Sequence, residues 1–187
     1  FVKTLNRTIY PTTRHWVGQK AEKNWQDIRL IVLLNHTSLF EYIYAGFIPI
    51  PFLWKMTKDV VFPVADVTYK RPFMRAILKC LGPNPVSISR KKDKSWEKFL
   101  DRIQPSSIMI FLPEGRMKRK TGLDKEGNPM TMKGGICDVM EKFKGHKMIF
   151  VYSKGLHHIL APGEVFPKPH RSEVSMEVLD VSSYTNS

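Results

Sequence analysis

The chain has 187 residues, of which 42% are hydrophobic. This length predicts a single domain with a sizeable core, and the hydrophobic content argues against a disordered chain. Lys and Arg number 30 and Asp and Glu 17, which gives a formal net charge of +13. Such a charge indicates an anionic partner: nucleic acid, an anionic membrane surface or a phosphorylated substrate. No run of about 18 apolar residues occurs, so no transmembrane helix is expected.

A first segment, residues 1–27, combines tryptophans with basic residues. Thr12 or Thr13 would cap a helix running to about Gln26. An amphipathic helix of aromatic and basic residues suits a membrane interface, but it suits an ordinary packed helix better. The sequence therefore predicts an N-terminal helical segment followed by a main domain at residues 28–187.

The main domain opens with an apolar run at residues 28–34, which predicts a buried strand. The run stops at the polar residues 35–38, and residues 39–47 then have the apolar composition of a helix. A strand that leads through a polar turn into a helix places polar side chains at the edge of a sheet. In α/β folds that edge is where ligands usually bind.

His36 lies on this turn, and Glu41 lies in the first turn of the predicted helix. A carboxylate bound to one imidazole nitrogen fixes the tautomer and raises the basicity of the other nitrogen. The pair is thus a candidate general base for a hydroxyl nucleophile. Ser38-x-x-Glu41 is also a capping box, in which Glu41 would accept a hydrogen bond from the Ser38 backbone N–H. The sequence leaves both interpretations open.

Strand-like and helix-like segments alternate along the rest of the chain. The pattern predicts an α/β fold: a central mixed, mostly parallel sheet flanked by helices in a single domain. Residues 45–54 are apolar but contain two prolines. They could line a lipid-facing groove, but we expect them in the core. The further predicted strands are residues 52–56, 60–64, 86–89, 107–112, 147–152 and 174–178, and the further helices are residues 72–81, 96–103 and 132–143, with an exposed loop at residues 121–129.

Two basic runs, residues 90–94 and 116–120, directly follow predicted strands. Each alone is typical of a solvated loop, but the two together favour a shared anion-binding edge. Cys80 and Cys137 are far apart and in no CxxC pattern, so neither a disulfide nor a metal site is predicted.

Three blocks in this order resemble the glycerophospholipid acyltransferase family, the PlsC-like enzymes such as 1-acylglycerol-3-phosphate acyltransferase. Residues 35–41, NHTSLFE, are similar to the family's Asn-His, four residues, Asp, with Glu for Asp. Residues 86–90, VSISR, resemble its short strand ending in Arg. Residues 111–116, FLPEGR, resemble its Phe-Pro-Glu-Gly-Thr-Arg, with an added Leu and without the Thr. The resemblance covers roughly residues 28–155.

The resemblance implies a role for each matched residue. His36 would deprotonate the acceptor hydroxyl, which attacks the thioester of the acyl donor, and Glu41 would orient His36. The acceptor's glycerol phosphate would be held by Arg90, Glu114, Gly115 and Arg116. Because the Thr of the third block is missing, Arg119 is the alternative to Arg116 as the phosphate ligand. No metal is implied, since a thioester is already activated, and His157, His158 and His170 are expected to be surface or packing residues.

These features predict a peripheral membrane acyltransferase on the cytoplasmic side. Its donor would be acyl-CoA or acyl carrier protein, with no further cofactor, and its acceptor a lysophospholipid such as lysophosphatidate or, second, glycerol 3-phosphate. The alternative is a non-catalytic basic module that binds anionic membrane lipid. Nucleic acid is disfavoured as a partner, because aromatic residues are not interleaved with the basic runs in a recognisable binding motif.

Overall fold

The computed structural model describes residues 2–18, 25–38, 40–70, 84–89, 93–164 and 166–185. In these ranges the strands are β1 (Thr12–Gly18), β2 (Ile28–Leu33), β3 (Val60–Ala65), β4 (Asn84–Ile88), β5 (Ile108–Phe111), β6 (Lys147–Lys154) and β7 (Ser172–Asp180). The α-helices are α1 (Val2–Thr8), α2 (Ile50–Asp59), α3 (Asp66–Tyr69), α4 (Lys94–Leu100), α5 (Gly135–Lys142), α6 (Leu156–Ile159) and α7 (Ser182–Thr185). Trp25–Asp27 and Glu41–Phe47 are 3-10 helices.

The strands form one sheet in the order β1-β7-β6-β2-β5-β3-β4. β2 pairs in parallel with β5 and β6, and β3 pairs in parallel with β4 and β5. β7 is antiparallel to β6 and parallel to β1. The prediction of an α/β fold with a mixed, mostly parallel sheet is therefore confirmed. Because β2, β5 and β6 run in the same direction, their carboxyl ends meet at one edge of the sheet, which we call the carboxyl edge.

The central strand β2 is buried on both of its faces. Leu30 and Val32 pack with Trp96 of α4 and Val139 of α5, in one core cluster. Ile31 packs in the other cluster, which includes side chains of the 3-10 helix Glu41–Phe47 and of α2. Helices thus cover both sides of β2, as expected for a strand with an almost continuous apolar sequence.

The helix predicted from Thr12 or Thr13 to Gln26 is wrong, because Thr12–Gly18 forms the edge strand β1. Its threonines, Trp16 and Val17 have high β propensity, and β7 offers an edge with which they pair. The helix of this segment, α1, ends before Pro11, and residues 19–24 are outside the described ranges. The predicted domain boundary at residue 27 remains a prediction, although β1 ties the first segment to the sheet.

The strand predicted at residues 52–56 is also wrong, since these residues lie within α2. Pro51 stands in the first turn of this helix, where its missing N–H costs nothing. Phe52 is fully buried, but Ile50 and Trp54 are 57% and 68% exposed, so the expectation that residues 45–54 belong to the core holds only in part. The helix predicted at residues 72–81 lies outside the described residues. No described helix is both long and apolar enough to cross a membrane.

Candidate active site

Asn35 fastens the turn after β2 to the end of β6. Its side-chain amide donates to the Ser153 carbonyl over 2.7 Å, and its Oδ1 accepts from the Ser153 backbone N–H over 2.8 Å and from the Ser153 hydroxyl over 3.1 Å. Both residues are buried. Asn35 is not among the predicted site residues. The sequence feature that points to it is its place directly before His36, as the first polar residue after a buried strand.

His36 and Glu41 are in contact, because His36 Nδ1 lies 2.7 Å from Glu41 Oε2. An ionised carboxylate only accepts hydrogen bonds, so in the neutral imidazole this contact places the proton on Nδ1 and the lone pair on Nε2. The His36 side chain is 22% exposed and that of Glu41 is 9% exposed. The imidazole is thus oriented from the protein side while part of the ring faces solvent.

The second oxygen of Glu41 caps the turn. Glu41 Oε1 accepts from the Thr37 N–H over 2.8 Å and from the Ser38 N–H over 3.4 Å. The sequence offered the base pair and the capping box as alternatives, yet both contacts are present, one on each carboxylate oxygen. The cap therefore holds the carboxylate in the position from which it orients His36.

Glu114 follows β5 at the same edge and also contacts His36. Its Oε2 accepts the His36 backbone N–H over 3.0 Å, and the Lys118 N–H donates to the His36 carbonyl over 2.6 Å. Glu114 is 8% exposed. Gly115, whose φ is +63°, supplies the left-handed turn that brings this segment back towards His36. The first and third sequence blocks therefore meet through the backbone of His36.

Arg116 points towards the loop at residues 121–129. Its Nη1 donates to Asp124 Oδ2 and, over 3.1 Å, to Glu126 Oε2. Asp124 is 3% exposed, so the guanidinium is held against a buried carboxylate. The role predicted for Arg116 as a phosphate ligand remains a prediction, but this side chain is already engaged by two carboxylates.

Asp124 organises the loop that Arg116 contacts. Its Oδ1 accepts the backbone N–H groups of Glu126 and Asn128, each over 2.8 Å. Burial raises the pKa of Asp124, but the hydrogen bonds from Asn128 and Arg116 outweigh it and hold the pKa well below its ordinary value. The predicted exposed loop is therefore folded around a buried carboxylate. A cleft of about 160 Å³ beside it is lined by Glu114, Arg116, Asp124, Asn128, Pro129, Met130, Thr131 and Lys133.

Other cations near this edge are less engaged. Arg119 is exposed, and its guanidinium forms no ion pair with the part of the chain that the structure describes. Lys133 is exposed and lines the cleft, while its backbone N–H donates to the Pro113 carbonyl over 2.9 Å. Arg90, the predicted ligand of the second block, lies outside the described residues.

The three histidines expected to be surface or packing residues form a ring cluster. The centroids of His157 and His158 are 4.0 Å apart, and those of His158 and His170 are 4.8 Å apart. Burial and the neighbouring His158, Lys120 and His170 lower the pKa of His157. Within the described ranges no group of His, Cys, Asp and Glu residues is arranged to hold a metal ion.

A model of the Acyltransferase family matches residues 17–153, most of the chain. The chain belongs to the acyltransferase family. The matched region contains His36, Glu41, Arg90 and the turn from Glu114 to Arg116. No curated protein matches this acyltransferase.

Among solved structures, the crystal structure of PlsC, the 1-acyl-sn-glycerophosphate (LPA) acyltransferase from Thermotoga maritima, is similar to this acyltransferase. The TM-score is 0.62 at 16% sequence identity, and the alignment covers 99% of this chain and 73% of that one. At this identity the similarity concerns the fold, which agrees with the seven-stranded sheet described above.

Proposed function

We propose that this acyltransferase moves a fatty acyl group from a thioester donor to the hydroxyl of a glycerol-phosphate or lysophospholipid acceptor, with His36 as the general base. The observation that carries this proposal is the 2.7 Å contact between His36 Nδ1 and Glu41 Oε2. The contact directs the lone pair of Nε2 away from the carboxylate. A hydroxyl that binds beside Nε2 would then face a hydrogen-bond acceptor that can take its proton.

The reaction needs one proton relay. His36 Nε2 takes the proton of the acceptor hydroxyl as its oxygen attacks the carbonyl carbon of the thioester. The tetrahedral intermediate then expels the thiolate, and the imidazolium returns the proton to it, giving an ester and a free thiol. Glu41 stabilises the imidazolium while it exists, because its Oε2 already accepts from Nδ1. General base catalysis of this kind contributes about 10²–10⁴-fold.

Glu114 supports the same step without touching the reacting atoms. Its carboxylate accepts a hydrogen bond from the His36 backbone N–H over 3.0 Å. This contact fixes the position of the backbone that carries the imidazole. An error of about 1 Å in such a position is enough to cost about 10²-fold in rate. We therefore treat Glu114 as a positioning residue for His36, in addition to its predicted place beside the acceptor.

For the acceptor phosphate, the contacts favour Arg119 over Arg116. A guanidinium fork binds phosphate through two N–H groups at once. Arg116 already donates to Asp124 and Glu126, whereas Arg119 is exposed and lies in the same basic run. Arg90 remains the ligand implied by the second block. Gly115 would allow the acceptor to approach the backbone of the turn closely.

The donor would be acyl-CoA or acyl carrier protein, used as a co-substrate with no further cofactor. We place the protein at the cytoplasmic side of a membrane, as a peripheral protein, because the proposed acceptor is a lipid or a lipid precursor and the chain carries a charge of +13.

Release of free thiol tests the proposal directly. Purified protein is given palmitoyl-CoA or palmitoyl carrier protein with lysophosphatidate, glycerol 3-phosphate or lysophosphatidylcholine, and thiol is measured with time. We expect thiol release that requires both donor and acceptor, with lysophosphatidate the best acceptor. Protein that binds anionic vesicles but releases no thiol with any acceptor would instead be a non-catalytic lipid-binding module.

A further inference from the structure

The outer face of α2 carries large apolar side chains in solvent. Ile50 is 57% exposed and Trp54 is 68% exposed. With Lys58, which is also exposed, they occupy positions four residues apart and so lie along one side of the helix. Phe52 is fully buried on the side that faces the core. We call Ile50, Trp54 and Lys58 the α2 stripe.

Trp54 is far more exposed than Trp25 and Trp96. Trp25 and Trp96 are 7% and 8% exposed, each packed in a core cluster. Indole has an apolar body with one polar N–H, which makes the interface between lipid headgroups and acyl chains a favourable location for it. A Trp, an Ile and a Lys on one side of a helix match the composition of helices that lie in that interface.

Cationic groups flank the α2 stripe. Lys3 Nζ donates to the carbonyls of Gly46 and Ile48 over 3.1 and 2.9 Å, which holds its ammonium close to the start of α2. The Arg14 guanidinium lies over the Phe47 ring at 5.2 Å. Across the described ranges, neither side chain forms an ion pair with a carboxylate, and neither does that of Lys58. The surroundings of the stripe therefore complement an anionic surface.

We propose that the α2 stripe docks on an anionic lipid bilayer, an inference that rests on the proposed use of a lipid acceptor. Trp54 and Ile50 enter the headgroup region, while Lys58, Lys3 and Arg14 contact lipid phosphates. The bilayer is favoured over a protein partner by the charge of +13 and by these cations around the apolar centre.

The α2 stripe begins close in sequence to the carboxyl edge of the sheet. The 3-10 helix Glu41–Phe47 begins with the residue that orients His36 and ends shortly before Ile50. Seven residues of 3-10 helix are about 14 Å long, at roughly 2.0 Å per residue.

A pair of double variants tests the stripe against exposed apolar surface elsewhere. Ile50→Ser with Trp54→Ser removes the stripe, and Tyr152→Ser with Phe166→Ser is the matched control, since these two side chains are 52% and 79% exposed. Sedimentation measures the partition of each protein onto phosphatidylcholine vesicles with and without phosphatidylglycerol. Circular dichroism checks that each protein is folded.

We expect the wild type to bind the anionic vesicles more tightly, and to lose binding as salt rises through about 0.1 M. The stripe variant should bind about tenfold or more weakly, and the control variant within about twofold of wild type. The proposal is overturned if both variants lose the same amount of vesicle binding, or if the wild type binds anionic vesicles no more tightly than neutral ones. It is also overturned if the wild type is a dimer and the stripe variant a monomer, since the stripe would then be an interface between copies.

A second measurement separates this inference from the proposed function. Thiol release is measured in solution with a short-chain acyl-CoA and glycerol 3-phosphate, which need no vesicle. The stripe variant should keep wild-type turnover there and lose it with lysophosphatidate held in vesicles. Wild-type protein that binds vesicles through the stripe but releases no thiol in solution or on vesicles would support the docking surface and contradict the acyl transfer.

Discussion

His36 and Arg116 follow strands that end at the same edge of the sheet, and each is held by acidic residues, but the two pairs leave different groups available. Glu41 takes one nitrogen of the His36 ring and leaves the other free. Asp124 and Glu126 both accept from Nη1 of Arg116, and Asp124 is buried. An ion pair can therefore orient a reactive group or tie down a loop. Which of the two it does depends on what else the acidic partner holds: Glu41 also binds the turn that carries His36, whereas Asp124 also binds the backbone of the loop at residues 121–129.

The largest expected effect is a loss of activity when His36 is replaced, which would distinguish the His36–Glu41 pair from the Arg116 pair. His36→Ala should lower kcat by about 10²–10⁴-fold, because it removes the proposed base, and should leave the melting temperature nearly unchanged. Thiol release and thermal unfolding of the purified variants measure both. His15→Ala is the control, since His15 is an exposed histidine on the edge strand β1, and it should stay within about twofold of wild type. A His36→Ala protein with most of its activity would remove His36 from the mechanism.

Glu114 is expected to give the next largest effect. Glu114→Ala leaves the His36 N–H without its acceptor and should lower kcat by about tenfold to a hundredfold. It should also cost about 1–3 kcal/mol of stability, because a partly buried donor loses its partner. Glu114→Gln keeps a carbonyl oxygen in reach and should recover most of kcat. If Gln and Ala are equally damaging, the charge of Glu114 acts on the substrate and not on the position of His36.

Substitutions at Arg116 and Arg119 should affect different properties: the melting temperature for Arg116 and the KM for the acceptor for Arg119. Arg119→Lys should raise the KM for the phosphorylated acceptor by about tenfold and leave the KM for the acyl donor unchanged. Arg116→Lys should chiefly lower the melting temperature and increase proteolysis of the loop at residues 121–129. Steady-state kinetics with each substrate varied distinguishes them. A KM effect confined to Arg116→Lys would restore Arg116 as the phosphate ligand, and no effect in either would direct attention to Arg90.

The smallest effect concerns the acidic side of the Arg116 pair. Since hydrogen bonds hold the pKa of Asp124 below its ordinary value of 3.8, its contribution to stability is present above about pH 4 and is lost as the pH falls towards the folded-state pKa. Asp124→Asn should therefore unfold at a lower temperature than wild type near pH 6. The difference should narrow as the pH falls below about 4, because the Asp124 carboxyl of the unfolded chain then binds a proton that folding has to remove. A difference that stays constant with pH would mean that the charge of Asp124 is not what stabilises the loop.

Much of this arrangement was predictable from the sequence because it is local. The strand predicted at residues 28–34 forms at Ile28–Leu33, and His36 meets Glu41 because the two are only five positions apart in the sequence. The grouping of His36 with Glu114 followed from the resemblance to the acyltransferase family, which implies that the first and third blocks form one site. The direction of each side chain was not predictable. The engagement of Arg116 depends on Asp124, which sits in a loop whose composition predicted only solvent exposure.

The two errors have different causes. Thr12–Gly18 has no strong helical pattern of its own and becomes a strand because β7 is available as a partner. That partner lies far away in the sequence, so a local pattern does not contain it. Residues 52–56 have a strand-like composition, but Pro51 in the first turn of α2 is a local signal that favours a helix, and only one side of that helix packs against the core.

The pairing of β1 with β7 has a consequence for the order in which the chain folds. The hydroxyls of Thr12 and Ser172, which meet across these strands, are separated by 160 positions in the sequence. During synthesis, residues 12–18 emerge well before β7, the strand with which they pair. Contacts between such distant residues form slowly, because a long loop must close before any of them is gained. Among the described strands, β1 is therefore expected to join the sheet last.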